Sequence, residues 1–177
     1  MIIKKTLTTG FIIILLLISF KVGSETIEKP IETKQSGYWT HYCEDLKERK
    51  HCEIAQKIII EKQNLSFLII YKITKDKNST IKKNFNVITP LGVNLNKRLK
   101  ISFDDKTKFT KSFLKCEAFG CITVFDINIA LKHSLKNYEN MKITFYDFKN
   151  EEPNSLEMPI NGFIEALSVI EQQLKSF

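Results

Sequence analysis

Apolar residues recur at every second position through much of the chain. Leu99, Ile101 and Phe103 alternate with Lys100, Ser102 and Asp104, and Met141, Ile143 and Phe145 alternate with Lys142, Thr144 and Tyr146. Only an extended strand sends successive side chains to opposite faces, so each run reads as a half-buried strand. Similar runs occur at 38–43, 52–60, 65–73, 85–89, 110–115, 121–125 and 155–160. About nine short strands in succession point to an all-β sandwich or barrel.

Two stretches switch to the helical period. Asp126 can cap a helix whose Ile127, Ala130, Leu131 and Leu135 fall on one stripe. Asn161 precedes a second, C-terminal helix with Phe163, Ala166, Leu167, Ile170 and Leu174 on one face. Each apolar stripe is single, which suits a helix laid over a sheet.

The first 24 residues have the form of an export signal: Lys4 and Lys5, then the apolar run 11–20, then Val22 and Ser24 before a cut at Glu25. A membrane span needs about 20 apolar residues, so this run, stopped by Lys21, is too short to be one. The alternative is an uncleaved signal acting as an inner-membrane anchor. Residues 25–37 are polar, contain Pro30 and Gly37, and read as a flexible leader to a single domain over 38–177. Removing 1–24 leaves 24 basic residues against 20 acidic ones, a net +4 in place of +7. The remaining lysines read as solvated faces, with an acidic envelope partner as the alternative. Export makes a nucleic-acid partner improbable.

Four cysteines, Cys43, Cys52, Cys116 and Cys121, follow the signal. An even count in an oxidising compartment reads as disulfides, with three connectivities open. The local pairs are expected. The turn-like stretch 46–51 would close a hairpin between Cys43 and Cys52, and Gly120 lets the chain bring Cys116 back to Cys121. Redox pairs normally have two intervening residues, whereas these have eight and four. A zinc site would want several closely spaced ligands, and only His51 adjoins a thiol.

Gly37, Tyr38 and Trp39, then Cys43 and Cys52, then ITPLGV at 88–93 with Pro90 and Gly92, then CEAFGC at 116–121, and finally Asn161, Gly162 and Phe163 together resemble the invasion-associated locus B family. The resemblance spans nearly all of the mature chain. It departs at Asn96, Lys97 and Arg98, where a Pro-Gly turn is usual, and at Phe119, where proline or a polar residue is common. It implies a periplasmic or secreted immunoglobulin-like β-sandwich, linked in some pathogens to host-cell entry and without an established enzymatic activity. Trp39, Pro90, Gly92, Gly120, Gly162 and Phe163 would then be structural.

Among residues that could carry chemistry, Trp39, His41 and Cys43 share one strand face. An inward face makes His41 a hydrogen-bonded core histidine. His133 and His51 read as surface residues. Asp104 and Asp105 are adjacent, point opposite ways on a strand, and so cannot act as a paired acid and base. No phosphate loop, nucleophile elbow or zinc-protease motif occurs. The expectation is a non-enzymatic envelope protein that needs no cofactor or metal and binds an envelope or host-surface component. The alternatives are a periplasmic hydrolase or redox protein using His41 or the cysteines, and an assembly factor that pairs an edge strand with a client.

Overall fold

The computed structural model describes residues 32–61, 65–149 and 152–177. The expected signal at 1–24 and the first part of the leader lie outside the described residues. Eleven strands run β1 Lys34–Ser36, β2 Trp39–Leu46, β3 Arg49–Ile60, β4 Leu65–Asp76, β5 Ile81–Thr89, β6 Leu99–Ser102, β7 Lys108–Lys111, β8 Lys115–Glu117, β9 Gly120–Asp126, β10 Asn140–Tyr146 and β11 Pro153–Pro159. Helices α1, Ile129–Asn137, and α2, Phe163–Lys175, flank the β10–β11 hairpin in sequence. One sheet has the order β1-β2-β3-β4-β5-β9-β8 and the other β11-β10-β6-β7, all antiparallel. They form a sandwich.

Alternation decides what each strand buries. On β4, Phe67, Ile69, Tyr71 and Ile73 point inward, and the register sets Ile54 and Phe85 on either side of Tyr71. Leu99, Ile101, Met141, Ile143 and Met158 supply the second sheet's share of the core. Helix α2 packs on β1, β2 and β3, burying all five residues of its expected stripe.

Three elements depart from the sequence reading. Residues 34–36, expected in the leader, form the edge strand β1, whose Ser36 is buried. The run read as one strand at 110–115 is two: β7 belongs to the smaller sheet and β8 to the larger, and residues 112–114 carry the chain between them. Asp126 does not cap α1. It ends β9 and pairs with Lys111 at 2.9 Å, while Asn128 Oδ1 accepts the Leu131 N–H at 2.8 Å. This start buries Leu131, Ser134 and Leu135 and leaves Ala130 exposed.

Candidate functional site

Both cysteine pairs are bonded locally. Cys43 and Cys52 face each other in the β2–β3 register with Cα atoms 4.1 Å apart, and Cys116 and Cys121 do so in the β8–β9 hairpin at 3.9 Å. Those are the spacings of narrow antiparallel pairs, so pairing alone brings each thiol to its partner. Cys52 and Cys121 are buried, Cys43 is half-buried and Cys116 is exposed. The second hairpin sits hard against β5, where a Cβ at Gly120 would lie 2.3 Å from the Thr89 carbonyl oxygen. Two disulfides with no free thiol fit an oxidising, exported environment. No helix among the described residues is long and apolar enough to cross a membrane.

Trp39, His41 and Phe163 meet where the β1–β2 hairpin joins α2. The Trp39 indole N–H donates to the Ile160 carbonyl at 3.2 Å, and the Phe163 ring stands edge-on to both Trp39 and Tyr71, with centroids 5.2 and 5.4 Å away. Gly37 and Gly162 allow the two backbones to touch. His41 is buried, with Nε2 3.3 Å from Ser36 Oγ. Burial first, then the Lys34 charge, lowers its pKa, against a smaller opposing pull from Glu165. The neutral ring belongs to the core.

His51 is not in a surface turn. It is half-buried on β3, on the outward face of the larger sheet, with Nδ1 3.0 Å from Thr74 Oγ1 and Nε2 2.9 Å from Glu53 Oε1. Lys72 Nζ reaches the same Glu53 oxygen at 2.7 Å. Burial by itself would raise the Glu53 pKa, but hydrogen bonds from Lys72, His51 and Tyr42 hold the carboxyl below its ordinary value. The Tyr42 hydroxyl is pushed up to about 12 by burial and by the Glu53 charge. A hydroxyl, an imidazole and a carboxylate in series have the order of a general-base relay. Here the relay lies across the register pairs His51–Thr74 and Glu53–Lys72 of a sheet face, and Lys72 holds its carboxylate. It clamps β2, β3 and β4 together. The spacing of His51 and Glu53, two apart on one strand, was the available signal for this cluster. His133 is exposed on α1, and Asp104 closes a turn by accepting the Lys106 and Thr107 N–H groups.

Surface depressions lie on the outer face of the smaller sheet (about 390 Å³, around Lys100, Ser102 and Lys142) and beneath the 90–93 loop (about 340 Å³, between Leu65, Pro90, Phe145 and Phe148). Neither is lined by a histidine or a cysteine. Pro90 and Gly92 shape that loop: the Gly92 carbonyl accepts the Phe148 N–H at 2.8 Å, and Val93 bridges to Asp147. Apart from the Cys43–Cys52 pair within the β2–β3 hairpin, the sequence-predicted residues fall into two groups. Trp39, His41, Gly162 and Phe163 lie at the hairpin–helix junction, and Pro90, Gly92, Cys116, Gly120 and Cys121 lie around the far end of β5.

No curated protein matches the chain. Among solved structures, the crystal structure of invasion associated protein B from Bartonella henselae superposes with a TM-score of 0.69 at 20% identity, covering 82% of this chain and 98% of that one. At that identity the likeness shows the fold. The invasion associated locus B model matches residues 39–171, and that family is not known as enzymatic. With three quarters of its length under that model, the chain belongs to the invasion associated locus B family.

Proposed function

We propose that the protein is an exported, non-catalytic binding module of the bacterial envelope, stapled by its two disulfides for an oxidising compartment and acting on an envelope or host-surface component. The observation that carries this reading is the commitment of its reactive groups to structure: His41 is bonded within the core, His51 and Glu53 are locked in a cross-strand clamp, and all four thiols are in bonds. The name of the Bartonella relative supports a link to host-cell entry. Hydrolysis at His41 would need substrate access to a ring that is 3% exposed. Strand addition would need a long free edge, whereas the four edge strands are short or blocked: β1 and β8 have three residues each, β7 has four, and β11 begins and ends in proline.

Chemical crosslinking in intact cells, followed by pull-down of the exported form, tests the proposal. A specific envelope or host protein, or a defined envelope lipid or glycan, is expected in the complex. A hydrolytic or thiol-exchange activity of the purified protein, abolished by His51→Ala or by removing a cysteine pair without loss of fold, would overturn it.

A further inference from the structure

Alternation on the smaller sheet sends Leu99, Ile101, Met141 and Ile143 into the core and turns Lys100, Ser102, Lys142 and Thr144 outward. The register sets the outward residues in adjoining rows. Glu157, Lys142, Ser102 and Lys108 cross the four strands in one row, and Ser155, Thr144 and Lys100 follow in the next. Both rows line the depression of about 390 Å³, and its two central hydroxyls are sheltered: Ser102 is 7% exposed and Thr144 5%. Thr144 Oγ1 meets Ser155 Oγ at 3.3 Å, which leaves most of the bonding capacity of those two hydroxyls open. The charges around them are of both signs. Lys100, Lys108 and Lys142 stand against Asp104, Asp105 and Glu157 among the described lining residues, three of each. None of the six is in an ion pair among the described residues, although Lys142 and Glu157 are direct cross-strand partners. Asp104 keeps its charge while it accepts the Lys106 and Thr107 N–H groups.

We infer that this face of the smaller sheet binds a neutral oligosaccharide. The inference rests on the reading of the protein as a binding module and names the partner's chemistry. Small-ligand sites span about 300–1,000 Å³ and are mostly apolar. This depression has the size but is lined by hydroxyl, ammonium and carboxylate groups and the Asn140 amide, so its ligand must be built of hydrogen-bonding groups. Equal numbers of the two signs give no net attraction for a polyanion or an anionic surface. A zwitterion would need the signs gathered apart, whereas Glu157 lies on the edge strand β11 and Asp104 and Asp105 in the β6–β7 turn, with Lys142 between them. A sugar hydroxyl donates and accepts at once. Here the ammonium groups donate, the carboxylates accept, and the serine and threonine hydroxyls do both. Tyr146 and Pro153, paired across β10 and β11, form an apolar wall at one end where the C–H face of a sugar ring can rest.

The test titrates the full chain, isotopically labelled for nuclear magnetic resonance, with tetra-N-acetylchitotetraose or maltotetraose at millimolar concentration, and with a heparin-derived tetrasaccharide and the dipeptide alanylalanine for comparison. A neutral tetrasaccharide should shift the backbone amide resonances of Lys100, Ser102, Lys142 and Thr144. Those of Glu53 and Lys72, on the outward face of the larger sheet, should stay in place. Ser102→Ala with Thr144→Val removes both sheltered hydroxyls without touching the core and should weaken the binding by about tenfold or more, with far-ultraviolet dichroism unchanged. No shift in these rows with either neutral saccharide, an equal or larger response to the heparin fragment or the dipeptide, or an unchanged affinity in the double variant overturns the inference. If crosslinking captures a specific envelope protein or lipid while both neutral saccharides leave these rows unshifted, saccharide binding fails and the binding-module reading stands.

Discussion

Replacing Gly162 by alanine should unseat the N-terminal hairpin from α2, and Gly92→Ala provides the control that isolates the contact. The two glycines share nearly the same φ, +90° and +92°, a region that costs an alanine roughly 1–2 kcal/mol at either position. Their surroundings differ. A Cβ at Gly92 would meet nothing within 4 Å, whereas one at Gly162 would lie 2.0 Å from the Ser36 carbonyl oxygen and 2.8 Å from Gly37 Cα. These are backbone atoms, so the hairpin itself must move. At stake are the Tyr38 N–H to Asn161 carbonyl bond at 3.3 Å, the Trp39 indole bond to Ile160 at 3.2 Å and the Trp39–Phe163 edge contact. Two hydrogen bonds at about 1 kcal/mol each and an aromatic pair at about 1 add roughly 3 kcal/mol to the strain. Gly162→Ala should therefore cost about 4–5 kcal/mol and Gly92→Ala about 1–2, against the roughly 5–15 kcal/mol that stabilises a domain. Equilibrium urea unfolding of the oxidised chain measures both, and Trp39, the sole tryptophan, reports from the contact itself. Equal losses for the two variants would refute the argument, because dihedral strain would then account for everything.

Replacing Cys116 and Cys121 together with alanine should cost about 2 kcal/mol, the closure entropy of so short a loop, with non-reducing peptide mapping still recovering the Cys43–Cys52 bridge. Glu53 has a folded pKa below its ordinary 4.5, so its contribution is complete above that value and is lost as pH falls through the folded pKa. The stability difference between wild type and Glu53→Gln should thus shrink on acidification below about pH 4.5, and a pH-independent difference in urea midpoints would sink that account. His41 is also shifted down, here from 6.5. The unfolded chain takes up the proton first, and stability should fall as pH drops from 6.5 toward the folded pKa. A folded His41→Gln variant should flatten that part of the pH profile.

What was legible in the sequence was whatever repeats locally. The period of two located most strands, and the spacing of Phe163, Ala166, Leu167, Ile170 and Leu174 located α2 together with the face it buries. Where two neighbouring residues offered the same chemistry, position was lost: Asp126 and Asn128 are both good caps, and only the Lys111 pairing shows why the aspartate is engaged elsewhere. Where the chain changed sheets at 112–114, alternation carried no mark of it, because period two reports a face and not a partner. β1 was hidden for a related reason: three polar residues become a strand only because Ser36 finds His41 and Gly37 finds Gly162. The grouping of exposed apolar turns is the extreme case: Leu91, Phe119 and Phe148 each look like an ordinary loop residue, and it takes the β5–β9 pairing and the Val93–Asp147 bridge, both between segments distant in sequence, to bring their turns to one end of the sandwich. The two family motifs, ITPLGV and CEAFGC, meet through that same pairing, with Gly120 against the Thr89 carbonyl. Residues that look structural one at a time thus hold in place the turns from which Leu91 and Phe119 project.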